Sequence, residues 1–234
     1  MYPRTDVELN PELPDAAKFW TPEPDEIDEE GFGYFRNVWT IVDVPEEEAR
    51  EMLHRDRTAS SFVSELTSTE IEFNAIAKVV ETGESHYAED LAADKRAALS
   101  PYIVEDEDDP VPLDGLEIGV TGLVYALSAA GAYPAASCRG HPGDLAWSDR
   151  PVVLFAIDRC RAQVLAPLVM DTGCGFAIDP ARRELLSVCS ASIEGTISLA
   201  EAVISKLPEF RACGEGNHKQ PDLAIQPSLF DEES

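Results

Sequence analysis

The strongest constraint on the fold is the regular order of helical and strand-like segments in residues 115–208. Three segments carry apolar residues at helical spacing, and two pairs of short β-type segments separate them. This order predicts an α+β fold of two tandem αββ units plus a final helix, with helices on one face of an antiparallel or mixed sheet. The predicted helices cover 114–130, 159–170 and 193–207, and the predicted strands cover 133–138, 152–157, 174–178 and 185–189.

Capping residues support the predicted helix ends. Asp114 and Glu117 form the pattern of a capping box, in which each side chain bonds a backbone N–H at the helix start. Asp158 and Ser192 stand where the second and third helices need N-caps. Gly131 predicts the end of the first helix, because glycine readily adopts the left-handed backbone of a C-terminal cap.

The first half of the chain has a different pattern. Residues 34–44 are rich in aromatic and β-branched side chains and predict a strand. Pro45, followed by three glutamates, predicts a helix start, because proline suits the first turn and acids face the positive end of the helix dipole. We expect helix to continue to about residue 81, with a break near Thr67 and Ser68.

Composition divides the chain into five parts. The first is rich in proline and acids, an acidic run forms a solvated linker, and the residues after Pro208 lose periodicity. The predicted parts are an extended arm at 1–30, an acidic strand and helix region at 31–104, a linker at 105–114, the α+β module at 115–208 and a flexible tail at 209–234.

Charge is concentrated in the first half. The chain of 234 residues has 45 acidic and 18 basic residues, a net charge of −27, and residues 1–114 carry −21 of it while residues 115–208 carry −2. This balance argues against phosphate-backbone binding by the whole surface, which needs Lys and Arg. It leaves open a local nucleic-acid or anion site in the second half. The acidic half indicates salt adaptation, a surface for a basic protein partner, or solvated charge.

Targeting and redox signals point to a cytoplasmic protein. The N-terminus lacks the basic start and apolar run of a secretory signal, and the apolar stretches are too short to cross a membrane. Five cysteines are an odd number in a chain long enough to form a core without disulfides, which favours reduced thiols.

Cys138, Arg139 and His141 are the candidate catalytic residues. They follow a predicted strand, where functional side chains often sit on a rigid scaffold. The positive charge of Arg139 is expected to lower the pKa of Cys138 and make it a nucleophile, with a histidine as its base. A structural role is the alternative, since unpaired cysteine is among the most buried residues.

The same segment offers zinc ligands, because thiolate and imidazole are the groups that zinc prefers. A second pair of ligands is available in the tail. The candidate zinc ligands are Cys138, His141, Cys213 and His218, with Cys174 and Cys189 as competing donors.

The run Ser137-Cys138-Arg139-Gly140-His141 resembles the Ser-Cys-Ser-Gly-Arg signature of the tRNA wybutosine-synthesis methyltransferase family, with three of five positions identical. The resemblance is confined to this short segment. It implies a tRNA substrate and S-adenosylmethionine as the methyl donor.

A second resemblance lies near the C-terminus. Gln226-Pro227-Ser228-Leu229-Phe230 resembles the peptide with which bacterial replication and repair proteins bind the sliding clamp. The resemblance implies that Leu229 and Phe230 fill an apolar pocket of the clamp while Gln226 forms hydrogen bonds, with Ser228 at the remaining defined position. The alternative is that Leu229 and Phe230 fold back onto the domain.

Three functions remain open. Our leading hypothesis is a protein of nucleic-acid metabolism that contacts the clamp and carries a ligand or catalytic site at residues 138–141. The second is a non-catalytic acidic inhibitor that mimics nucleic acid, and the third is a small-molecule or metal-binding domain. The sequence contains no P-loop, dinucleotide fingerprint, nucleophile elbow or His-Glu-x-x-His motif, so it leaves enzymatic activity open.

Overall fold

The computed structural model describes residues 4–23, 41–104, 106, 110–141 and 148–216, with the backbone alone for residues 215 and 216. Within these ranges the chain forms seven α-helices and four strands. The helices are α1 Glu46–Leu66, α2 Glu70–Thr82, α3 Ala93–Leu99, α4 Thr121–Ala129, α5 Arg159–Asp171, α6 Ile193–Ser205 and α7 Leu207–Gly216. The strands are β1 Tyr133–Cys138, β2 Val152–Ala156, β3 Gly175–Ile178 and β4 Leu186–Cys189.

The strands form one antiparallel sheet in the order β1-β2-β4-β3. Its inner face packs on α4, α5 and α6, and Phe155, Phe176 and Val188 of the sheet share a core with apolar residues of these helices. The predicted α+β fold is therefore confirmed. Each strand of this sheet begins and ends within one residue of its predicted position, because its apolar segment and the flanking turns are local signals.

The outer face of the sheet contacts the N-terminal arm. Leu9 and Trp20 pack against buried outer-face residues. The arm also uses backbone hydrogen bonds, since the Phe176 N–H donates to the Asn10 carbonyl and the Trp20 N–H donates to the Ile157 carbonyl. Residues 4–23 contain a single isolated bridge and otherwise neither helix nor strand.

Helix α1 packs against α4 and α6. Met52 and Leu53 of α1 lie in the same core as Leu123 and Val124 of α4. A Cβ atom on Gly122 would lie 3.1 Å from the Leu53 Cα, so the absent side chain allows the two helices to approach closely. The predicted break between α1 and α2 is confirmed near Thr67.

The first helix of the module begins later than predicted. It starts at Thr121, and Asp114 adopts the left-handed region at φ 52° instead of capping a helix. The Asp114 carboxylate accepts a hydrogen bond from the Tyr125 hydroxyl. Backbone N–H groups of Ile118 and Gly119 donate to carboxylates of α1 and α2. These carboxylates, distant in the sequence, bind the N–H groups of a turn that is not helical. The capping-box prediction is therefore wrong.

The C-terminal tail also differs from the prediction. Helix α7 extends to Gly216, and Pro208 lies in its first turn, where proline is tolerated. Phe210 is fully buried, and this burial explains why helix continues into the predicted tail. Of the strand predicted at 34–44, residues 34–40 lie outside the described part of the chain, and the described residues 41–44 form no strand.

Within the predicted linker at 105–114, residues 105 and 107–109 also lie outside the described residues. Among the residues that the structure describes, no helix is both long and apolar enough to cross a membrane.

Candidate metal centre

Three potential metal ligands meet where β1 ends. An oxygen of Glu117, the Cys138 Sγ and a ring nitrogen of His141 all lie within 4.8 Å of one another. Cys138 is buried, whereas the side chains of Glu117 and His141 are 29% and 36% exposed. The cluster therefore has a buried side and a side that reaches solvent.

The β1–β2 connection positions Cys138 and His141. Cys138 is the last residue of β1 and pairs with Val152 of β2. Gly140 then turns the chain at φ 88°, and a Cβ atom there would lie 2.7 Å from the Arg150 backbone. Glycine is required at this turn because no other residue combines that conformation with that clearance. The His141 N–H donates to the Ser148 carbonyl at 2.9 Å, which anchors the segment after the turn.

Glu117 approaches from the turn before α4. Its Oε2 accepts a hydrogen bond from the Arg139 backbone N–H at 2.7 Å, and its Oε1 lies 2.6 Å from the His141 Nε2. Burial raises the pKa of Glu117, but the hydrogen bonds and positive charges of His141 and Arg139 outweigh burial and lower it overall. Glu117 is therefore an ionised carboxylate at neutral pH.

The Cys138 thiol is not activated in this arrangement. Burial and the negative charge of Glu117 raise the pKa of Cys138 to about 12, and the Arg139 charge opposes them only in part. The expected lowering of this pKa is wrong in direction, because desolvation outweighs the nearby cation. The only remaining support for a nucleophilic role of Cys138 is therefore its position in the sequence, at the end of a strand.

The Arg139 side chain points away from the cluster. Its Nε donates to the Glu81 Oε1 at 2.7 Å, its Nη1 donates to the Asn74 Oδ1, and its guanidinium lies over the Phe73 ring. Only 3% of the side chain is exposed. Arg139 thus contributes its backbone N–H to the cluster, while its charge stabilises a buried ion pair, which differs from the predicted catalytic position.

The predicted zinc set is not assembled. Cys213 of α7 forms a disulfide with Cys160 of α5, with their Cα atoms 5.7 Å apart. This bond removes Cys213 as a ligand and corrects the expectation that all five thiols are reduced. Cys174 and Cys189 are free and buried. Among the described residues, neither belongs to the cluster that contains His141. His218 lies outside the described residues.

Sequence reasoning missed Glu117 as a member of the cluster. It recognised this residue only as part of a capping box, which is the local pattern around it. No local signal connects Glu117 with His141, since 24 residues separate them. The tertiary fold creates the relationship.

The three side chains fit a divalent transition metal. Thiolate, imidazole and carboxylate are all zinc ligands, and tetrahedral zinc places its ligand atoms about 3.3–3.6 Å apart. To reach this geometry the Glu117 Oε1 and the His141 Nε2, which are 2.6 Å apart, would have to separate. Three protein ligands leave a fourth position for water or a substrate, which is the arrangement of catalytic zinc sites.

A cavity of about 460 Å³ lies on the outer face of the sheet, and its lining contains none of the three cluster residues. Its lining includes Val152, the strand partner of Cys138, and Ser148, whose carbonyl binds the His141 N–H. Most of the remaining lining is apolar, with Leu154 and Ala177 on its sheet side and Asp179 as its charged residue among the described positions.

The clamp-type peptide at residues 226–230 lies outside the described residues. No protein-family model, curated protein or solved structure matches the chain.

Proposed function

We propose that the protein binds one zinc ion, or a cation of similar chemistry, through Glu117, Cys138 and His141. The observation that carries the proposal is the convergence of three different ligand types within 4.8 Å at the end of a strand. Each group comes from a rigid part of the fold, since Cys138 ends β1, Gly140 fixes the turn to His141, and Arg139 holds Glu117.

The electrostatics of the cluster favour a metal ion over a free nucleophilic thiol. Cys138 lies beside a carboxylate, and the Arg139 guanidinium is already bound to Glu81. A divalent cation would supply the positive charge that a Cys138 thiolate needs in this buried position, because coordination deprotonates a thiol outright.

The open coordination position supports Lewis-acid chemistry. Zinc with three protein ligands lowers the pKa of a bound water to about 7 and polarises a substrate carbonyl or phosphoryl oxygen. In this chain the exposed edges of Glu117 and His141 form the side of the cluster that a substrate would approach. We therefore propose a zinc-dependent hydrolase or lyase acting on a small molecule.

Metal analysis of the native protein tests this proposal. We expect about one zinc per chain after purification without added metal, and a thiolate-to-metal charge-transfer band after replacement by Co²⁺. Cys138→Ser should abolish the band and His141→Ala should reduce zinc content strongly. Cys189→Ser is the matched control, because Cys189 is also a free, buried cysteine of the sheet. Native protein without zinc that also gives no cobalt band contradicts the proposal.

We also propose a role in nucleic-acid metabolism through contact with a sliding clamp. The support is the sequence of residues 226–230, which matches every defined position of the clamp-binding peptide. This contact is independent of the metal centre, so each proposal can fail without the other.

A further inference from the structure

Two buried carboxylates hold the turn that carries Glu117. Asp56 of α1 accepts the Gly119 N–H on Oδ1 at 2.6 Å and the Gly122 N–H on Oδ2 at 2.8 Å. Glu81 of α2 accepts the Ile118 N–H on Oε1 at 3.1 Å. The backbone directly after Glu117 is therefore fixed by side chains from two other helices.

The same Glu81 oxygen also binds the segment that follows Cys138. Its Oε1 accepts the Arg139 Nε–H at 2.7 Å, and the Arg139 Nη1 donates to Asn74, which is also on α2. One carboxylate oxygen thus joins the turn of Glu117 to the residue between Cys138 and Gly140. Helix α2 holds both chain segments that supply the cluster.

We infer that Glu81 and Arg139 are positioning residues of the zinc site, which set the placement of Glu117 relative to Cys138 and His141. This inference rests on the proposed zinc binding. The Arg139 backbone N–H occupies the Glu117 Oε2, so Oε1, the oxygen that contacts His141, is the one that would bind the metal. Groups that orient metal ligands typically change metal affinity 10–100-fold when they are replaced.

Burial of this ion pair supports a role beyond stability. The side chains of Arg139 and Glu81 are 3% and 5% exposed, and a buried ion pair is often no more stabilising than an apolar pair of equal size. An apolar pair could fill the space but would leave the Ile118 N–H without its carboxylate acceptor. The charged pair fixes the position of the Glu117 turn relative to the segment that follows Cys138.

Zinc affinity of the full chain tests the inference, measured by competition with a chromophoric chelator. We expect Glu81→Gln to weaken zinc binding 10–100-fold and to shift the Co²⁺ spectrum, although no ligand atom is removed. Asn74→Ala leaves both charges in place and should weaken binding in the same direction by a smaller factor. Glu201→Gln is the control, because it breaks an exposed ion pair with Arg57 and should leave affinity unchanged.

The outcomes separate the inference from the proposed function. Wild-type protein that binds no zinc overturns both. Wild-type protein that binds zinc, with folded Glu81→Gln of equal affinity and identical Co²⁺ spectrum, overturns the inference alone and leaves the ion pair a purely structural element. If Glu81→Gln does not fold, Asn74→Ala decides, and wild-type affinity and spectrum in that variant overturn the inference.

Discussion

Glu117 and His141 meet at 2.6 Å between Oε1 and Nε2, although 24 residues separate them in the sequence. The contact gives the carboxylate a defined orientation toward the imidazole and places its negative charge beside the Cys138 thiol. The chemistry of the cysteine therefore depends on a residue from another part of the fold.

We expect Cys138 of zinc-stripped protein to react slowly with iodoacetamide at pH 8, because burial and the Glu117 charge raise its pKa to about 12. Glu117→Gln should increase the alkylation rate of Cys138, since it removes the negative charge that raises the pKa of the thiol. Peptide mass spectrometry at timed intervals measures this rate, with Cys174 as internal control. Rapid alkylation of wild-type Cys138 at neutral pH would instead support the nucleophile hypothesis.

Asp56 predicts a specific pH dependence of stability. Burial raises its pKa from an ordinary value of 3.8 to about 6. Because the folded-state pKa is the higher one, the contribution of Asp56 is full below about pH 4 and is lost as the pH rises through 6, by about 3 kcal/mol. The free energy of unfolding of wild type minus that of Asp56→Asn should fall by most of this amount between pH 4 and 7.

Urea unfolding across this pH range measures the difference for Asp56→Asn. The same comparison with Asp171→Asn, an exposed aspartate, should show no such slope. A difference that stays flat or rises with pH would mean that the hydrogen bonds from Gly119 and Gly122 outweigh burial in setting the pKa of Asp56.

The Cys160–Cys213 disulfide predicts a redox-sensitive stability. It joins α5 to α7 across 53 residues, and closing a loop of this length stabilises a fold by about 4 kcal/mol in the chain-entropy model. Cys160→Ser combined with Cys213→Ser should lower the free energy of unfolding by roughly this amount, and reductant should have the same effect on wild type alone.

Thiol titration of the denatured protein provides the control for the disulfide. Without reductant the free cysteines should be Cys138, Cys174 and Cys189, and reductant should expose Cys160 and Cys213 in addition. Five titratable thiols without reductant would show that the bond is absent from the purified protein.

The tail sequence predicts clamp binding by Leu229 and Phe230. Replacing both with alanine should weaken binding to a purified bacterial sliding clamp at least about tenfold, because buried apolar anchors dominate such peptide contacts. Pro227→Ala is the control, since the clamp peptide accepts any residue at that position. Fluorescence anisotropy measures the affinity, and equal affinities of wild type and the double variant would exclude this contact.

The sheet and its helices could be predicted because their signals are local. Asp158 caps α5 by accepting the Arg161 N–H, as its place before an apolar segment indicates. The cluster of Glu117, Cys138 and His141 could not be predicted in full, because the Glu117 turn depends on carboxylates of Asp56 and Glu81, which lie on other helices. The local pattern predicts a helix start here, but distant carboxylates bind the N–H groups of Ile118 and Gly119 and hold a turn instead.

The N-terminal arm makes contacts of very long sequence separation. Arg4 forms an ion pair with Glu194, which is 190 residues later, and the Thr5 N–H donates to the Ala191 carbonyl. Arg4 therefore has to contact a residue that is synthesised 190 residues after it. Contacts of such long sequence separation form slowly, so we expect the arm to cover the outer face of the sheet late in folding.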